Sequence, residues 1–175
     1  MKYILILLLI SSLIACDKND DDSPQEPVSQ LPPETTTGEN TFGCLINGEP
    51  FVVRNTSNQV AIFQNGGLFI GGQLTSNGFL DNVNMFISES NIGAPIMENS
   101  IYQLNSDTIP KGEYFSERLN CRFNTSTNYS GSIEILKLDT VNYIISGKFH
   151  FQANSNSCTE IINVTEGRFD LQYIP

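Results

Sequence analysis

The chain has 175 residues, 19 Asp and Glu against 9 Lys and Arg, and a formal net charge of -10 at pH 7. The acid excess runs through both the first 40 residues and the remainder, and the lack of a basic stripe argues against a nucleic-acid partner. Residues 41–175 suffice for one ordinary domain with a true core, and only the N-terminus carries a long, continuously apolar stretch.

That stretch is YILILLLISSLIA at 3–15, after Met1-Lys2. It is shorter than the roughly 20 residues of a membrane-spanning helix. A charged start, an apolar middle, the small Ala15 and an abrupt polar stop predict a secretory signal peptide over 1–15. Leu13-Ile14-Ala15-Cys16 resembles a bacterial lipobox. The resemblance implies cleavage before Cys16 and acylation of its thiol and of the new amine, which makes Cys16 a lipid anchor. Each buried methylene contributes about 0.8 kcal/mol, and two or more acyl chains hold a protein on a membrane.

Asp17, Asp20, Asp21 and Asp22 come next, and an anionic membrane surface repels them. Asp17, Asn19 and Asp21 have the first spacings of a calcium loop. Asp22 stands where that loop needs Gly and Val28 where it needs Glu, so the site is not built. Acidic residues directly after a lipidated cysteine resemble the export signal of surface lipoproteins in Bacteroidota. That implies an outer-membrane protein facing the outside of the cell, with the periplasmic face as the alternative. Residues 17–40 hold four of the eight prolines, and their apolar residues are Val28 and Leu31. Such a segment cannot offset its ordering entropy. Residues 16–40 therefore read as a lipidated cysteine followed by a disordered, acidic, proline-rich tether that reaches roughly 70 Å when extended.

From residue 41 the pattern is β. Strands are expected at 42–46, 51–54, 59–64, 68–74, 83–88, 101–104, 114–116, 119–124, 131–138, 143–153 and 160–173. Asn47-Gly48, Asn65-Gly66 and Asn77-Gly78 supply the positive φ angles of tight hairpin turns. One helical turn is expected near 94–100. The clearest strand is YIISGKFHFQA, in which Tyr143, Ile145, Gly147, Phe149, Phe151 and Ala153 share one parity. It follows GSIEILKL across a turn at 139–142, making a long hairpin. In the last strand Ile162 and Val164 have one parity, and Phe169, Leu171 and Tyr173 the other. A bulge at Thr165-Glu166-Gly167, with Gly167 in a glycine-only conformation, reconciles them. Beyond it Arg168 and Asp170 project from one face, as an ion pair or a ligand-reading pair. The whole predicts an all-β domain over 41–175, an antiparallel sandwich or barrel-like meander of about nine to ten short strands.

NTFGCLINGE at 40–49, ISGKFHF at 145–151 and VTEGRFD at 164–170 resemble an uncharacterised family of Bacteroidota lipoproteins, a domain of unknown function. The resemblance covers nearly the whole mature chain. It implies a secreted, lipid-anchored β domain and no particular activity.

With Cys16 used by lipid, Cys44, Cys121 and Cys158 remain in an exported domain, where disulfides persist. Cys121–Cys158 is the favoured bond, with Cys44 a buried thiol. Cys44–Cys158 and Cys44–Cys121 compete, and sequence alone does not settle connectivity. There is no C-x-x-C and only one histidine, His150, so no metal site is expected. No G-x-S-x-G and no phosphate loop is present, and the domain's twelve acids are scattered. No catalytic residue and no cofactor is expected. Asp107-Thr108-Ile109 and Asp139-Thr140-Val141 resemble the short O-glycosylation signal of Bacteroidota exported proteins, which marks Thr108 and Thr140 as candidate acceptors. The expected function is a non-catalytic binding module on a lipid anchor, its ligand an unknown small molecule, glycan, peptide or envelope protein. The absence of Trp weakens a glycan. The alternative is an assembly subunit of an envelope complex.

Overall fold

Period-two alternation places one side chain in two on a core face, and here it does so on eleven strands. The structure, a computed structural model, describes residues 26–175. The signal peptide, Cys16 and the acidic run after it lie outside the described residues. The strands are β1 (Thr41–Ile46), β2 (Glu49–Val53), β3 (Gln59–Gln64), β4 (Gly67–Ser76), β5 (Phe79–Ser88), β6 (Ser100–Leu104), β7 (Lys111–Ser116), β8 (Cys121–Asn124), β9 (Gly131–Asp139), β10 (Ile144–Asn154) and β11 (Ile161–Gln172). A single helical turn, α1 (Glu89–Ile92), follows β5.

The strands form one antiparallel sheet in the order β2-β1-β11-β10-β8-β7-β5-β4-β3, with β9 beside β10 and β6 beside β9. It is not a closed barrel. β8 meets β10 only where Asn124 faces Asn154, and there the sheet folds over on itself. The β3-β4-β5-β7-β8 part then faces the part built on β1, β11, β10 and β9. The layers approach closely where glycines thin them. A Cβ on Gly72 of β4 would lie 2.5 Å from Phe42 of β1, and one on Gly112 of β7 would lie 2.7 Å from Phe151 of β10. Between the layers lie Phe42, Phe123, Phe151, Ile70, Met85, Ile133 and Ile145, all essentially without exposed surface. Truncating such a phenylalanine to alanine costs about 3–5 kcal/mol. At the far side Phe63 N–H donates to Ile174 O and Ile174 N–H to Ala61 O, both at 2.9 Å, so the C-terminus is stitched to β3.

The three Asn-Gly turns have the expected geometry, with φ of 50° and 88°, 51° and 71°, and 53° and 80° in chain order. The helical turn is at Glu89–Ile92 and not near 94–100. Gly93 caps it at φ 70°, and Pro95 disfavours helix in the residue before it. Tyr143 lies outside β10, at φ 56° and half exposed, where it packs on Tyr173 at 5.7 Å.

The expected tether boundary at residue 40 is the largest correction. Pro27–Gln30 form a 3-10 turn and Leu31 is buried. Pro32 sits where a Cβ on Gly43 would lie 2.7 Å from its Cδ. Residues 26–40 are thus a strap laid across the outer face of β1, β11 and β10. The low apolar content does not prevent this, because the strap is held chiefly by hydrogen bonds.

Cys121 and Cys158 are disulfide-bonded, with Cα atoms 6.5 Å apart and a separation of 37 residues in sequence. The bond ties the start of β8 to the loop after β10. Cys44 is a buried free thiol, and burial alone pushes its ionisation far up. A bond closing a loop of this length contributes about 2–4 kcal/mol. Cys121→Ser with Cys158→Ser is expected to lower Tm by several degrees in calorimetry, while Cys44 stays unlabelled by thiol reagents until unfolding.

The turn after β9 gives a pH signature. Asp139 Oδ1 accepts from the N–H groups of Val141 and Asn142, and Oδ2 from Asn142 Nδ2, all at 2.9 Å. These bonds, Asn142's first, lower its pKa from 3.8 to about 2. A depressed carboxyl pKa stabilises the fold above the unfolded value and loses that contribution as pH falls through the folded one. The Tm advantage of wild type over Asp139→Asn is expected to be constant above about pH 4 and to shrink toward pH 2.

Candidate functional site

The bulge expected in the last strand is present. In the β10–β11 ladder Phe149 faces Gly167 and Phe151 faces Val164, so Thr165 and Glu166 together oppose His150. The left-handed residue is Glu166, at φ 53°, and not Gly167. Gly167 is required for another reason: an added Cβ would lie 2.5 Å from the Phe149 ring and carbonyl oxygen.

Past the bulge Arg168 and Asp170 share the outer face, but they do not pair with each other. Asp170 is buried and accepts three backbone hydrogen bonds from the strap, from Thr37 at 3.0 Å, Gly38 at 2.8 Å and Glu39 at 3.1 Å. It is a structural anchor and has no free edge for a ligand. Its cross-strand neighbour Ser146 is equally buried, with a hydroxyl that finds no partner among the described residues. Arg168 instead turns back to the bulge, its Nη2 donating to Glu166 Oε2 and its Nε to Glu166 O, both at 3.2 Å.

Arg168 does contribute to a groove of 460 Å³ on the outer face of β9, β10 and β11. Lys148 and His150 rise from β10, Glu134 from β9, Glu166 from the bulge and Glu34 from the strap. Lys148 Nζ and Glu34 Oε2 are 2.6 Å apart, so the strap forms one wall. Three carboxylates, a lysine, an arginine and His150 thus line one concavity, and His150 is exposed within it. Strand parity shows that Lys148, His150 and Arg168 face outward. Glu34 is invisible to it, because its strap reads as tether. Ile101, on the edge strand β6, closes the groove's far rim and is 61 % exposed.

The opposite layer presents a different outer face. Phe69 of β4 and Phe86 of β5 stack at 4.7 Å with planes 17° apart, and Lys111 Nζ lies 5.0 Å over the Phe86 ring. Glu113 of β7 is buried between Lys111, 2.9 Å away, and Arg122, with Asn84 Nδ2 at 3.4 Å. It is consumed by these partners. Tyr114, on the inner face, hydrogen-bonds Asp81 at 3.1 Å, and burial raises its phenol to about 12.

Thr108 and Thr140 both lie in exposed loops, Thr108 sharing a 2.9 Å hydrogen bond with Ser106. Among the described residues no three His, Cys, Asp or Glu side chains converge as a metal set.

Fold and faces together define a sandwich-like, all-antiparallel β domain that carries its polar groups on two outer sheet faces. Within that class the chain belongs to the family described as Domain of unknown function (DUF6252), whose model matches residues 40–171. The match takes in all three sequence motifs and meets the strap only at its last residue, Asn40. No curated protein and no solved structure matches the chain.

Leaving buried donors without an acceptor costs about 1–3 kcal/mol. Asp170→Ala is expected to destabilise by about 2 kcal/mol, capped because the strap can then detach into water. Limited proteolysis is expected to cut 26–40 in this variant well before the strands. Cleavage at the wild-type rate would show that the strap is held by other contacts.

Proposed function

We propose that this chain is an outer-membrane lipoprotein of the kind Bacteroidota export, anchored through acylated Cys16, facing the cell surface and carrying a non-catalytic binding module. The carrying observation is the outer-face groove, whose cations are held by acids of the bulge and strap instead of being aligned with a nucleophile. Such preset groups suit recognition of a polar ligand carrying both signs of charge. The two most buried carboxylates, Glu113 and Asp170, already have their partners, which speaks against an acid–base pair.

The strap also changes the geometry of attachment. With residues 26–40 laid on the domain, only 17–25 separate it from Cys16, a reach of roughly 30 Å. The domain then sits near the bilayer, strap side first. A second reading, an assembly subunit, is favoured by edge strand β6, which pairs only with β9 and exposes Ile101.

Palmitate labelling, membrane fractionation and protease treatment of intact cells test the anchor and the leaflet. Wild type is expected to be labelled, membrane-bound and cut on intact cells, and Cys16→Ala unlabelled and soluble. A labelled protein cut only after lysis would place it on the periplasmic side. An unlabelled, soluble wild type would remove the anchor.

A further inference from the structure

The outer face of β3, β4 and β5 lies on the other layer from the charged groove and has different chemistry. A depression of 290 Å³ there is lined by Phe69, Gln59, Gln73, Asn82 and Asn84 together with Val60 and small residues, and by no charged side chain. On the other side of Phe69 a second depression of 420 Å³, lined in part by Ile62, Phe86 and Ile109, also carries no charge. This neutrality stands out on a chain of net charge -10.

Register explains the shape. Along β4 the outward positions are Phe69, Gly71 and Gln73, and they face Phe86, Asn84 and Asn82 of β5. Gly71 lets the Asn84 side chain lie across the centre of this face: an added Cβ would collide with Asn84 Oδ1. Asn84 is held from its other end by Glu113 at 3.4 Å. Gln59 donates through Nε2 to Val53 O at 2.7 Å, while its Oε1 is buried without a partner among the described residues. The floor is therefore a half-buried aromatic pair, rimmed by side-chain amides.

We infer that this face binds a neutral saccharide, with a sugar ring laid on Phe69 and its hydroxyls hydrogen-bonded by Gln73, Asn82 and Asn84. A pyranose has an apolar C–H face and a rim of hydroxyls that both donate and accept. An aromatic face matches the first. Side-chain amides, each with two donors and an acceptor, match the second. The lining side chains carry no charge, and the cations beside them on this face, Lys111 and Arg122, are already paired with Glu113. A phosphate, sulfate or carboxylate therefore finds no free counter-ion and is repelled by the acidic domain. The aromatic surface that the absence of Trp argues against is supplied here by two stacked phenylalanines.

The test is binding of the full-length chain, in a detergent without a sugar headgroup, to immobilised neutral oligosaccharides derived from maltose, mannose, xylose and cellulose. A sulfated oligosaccharide serves as the charged control. At least one neutral series is expected to bind and the sulfated one not. Phe69→Ala and Asn82→Ala are each expected to weaken binding by about tenfold, and Val141→Ala in the exposed turn after β9 to leave it unchanged. The Asn82 side chain makes no hydrogen bond among the described residues, and its backbone pairing in β5 is unaffected by truncation, so Asn82→Ala keeps the test decisive if Phe69→Ala unfolds. Binding of only the sulfated probe, binding indifferent to both substitutions, or no binding by a folded protein would each overturn the proposal. A dimer that Phe69→Ala dissolves would reassign the face to self-association.

Discussion

Burying a carboxylate is costly unless donors replace the water it loses, and at Asp170 all three donors come from consecutive residues of one segment. That requirement joins the two ends of the domain. Asp170 lies on β11, the strand that pairs with both β1 and β10. The donors lie just before β1, so the carboxylate fixes where the chain enters the sheet. Gly43, Pro32 and the buried Leu31 follow from the same placement. The strap then brings Glu34 to Lys148 and completes a wall of the charged groove.

The two layers depend on a second constraint, which is thinness. Gly72 and Gly112 let the rings of Phe42 and Phe151 approach the opposing backbone. Gly167 does the same for Phe149 within its own sheet. Close packing of this kind fills the space between the layers with side chains. The charged groove and the depressions beside Phe69 lie on the outer faces. There the layers diverge: one carries a groove of paired opposite charges on a bulged, strapped surface, and the other an aromatic and amide surface with the Lys111–Glu113–Arg122 cluster beside it.

The disulfide and the C-terminal stitch act where the sheet is weakest. β8 touches β10 at a single bridge, and the bond from Cys121 to Cys158 spans that same joint. The far side, where the sheet does not close, is held by Ile174 lying along β3. The C-terminal end of β11 is therefore fastened twice, through Asp170 to the strap and through Ile174 to the opposite layer.

Much of the fold was determined by the sequence alone. Alternation at β10, the Asn-Gly turns and the change of parity across Thr165-Glu166-Gly167 are local signals, because side-chain period and turn conformation are properties of neighbouring residues. The bulge and the strands, nine to ten expected and eleven found, follow from them. The left-handed residue in the bulge, Glu166, was not legible, because Gly167 answers to the distant Phe149 ring and not to its own φ. The strap was not legible either. Its composition is that of a tether, and only the tertiary structure brings Asp170 within reach of its N–H groups, across 131–133 residues of chain. The groove wall at Glu34 and the amide rim around Phe69 have the same origin. Each depends on which strands lie side by side, and hydrogen-bond register between distant segments decides that.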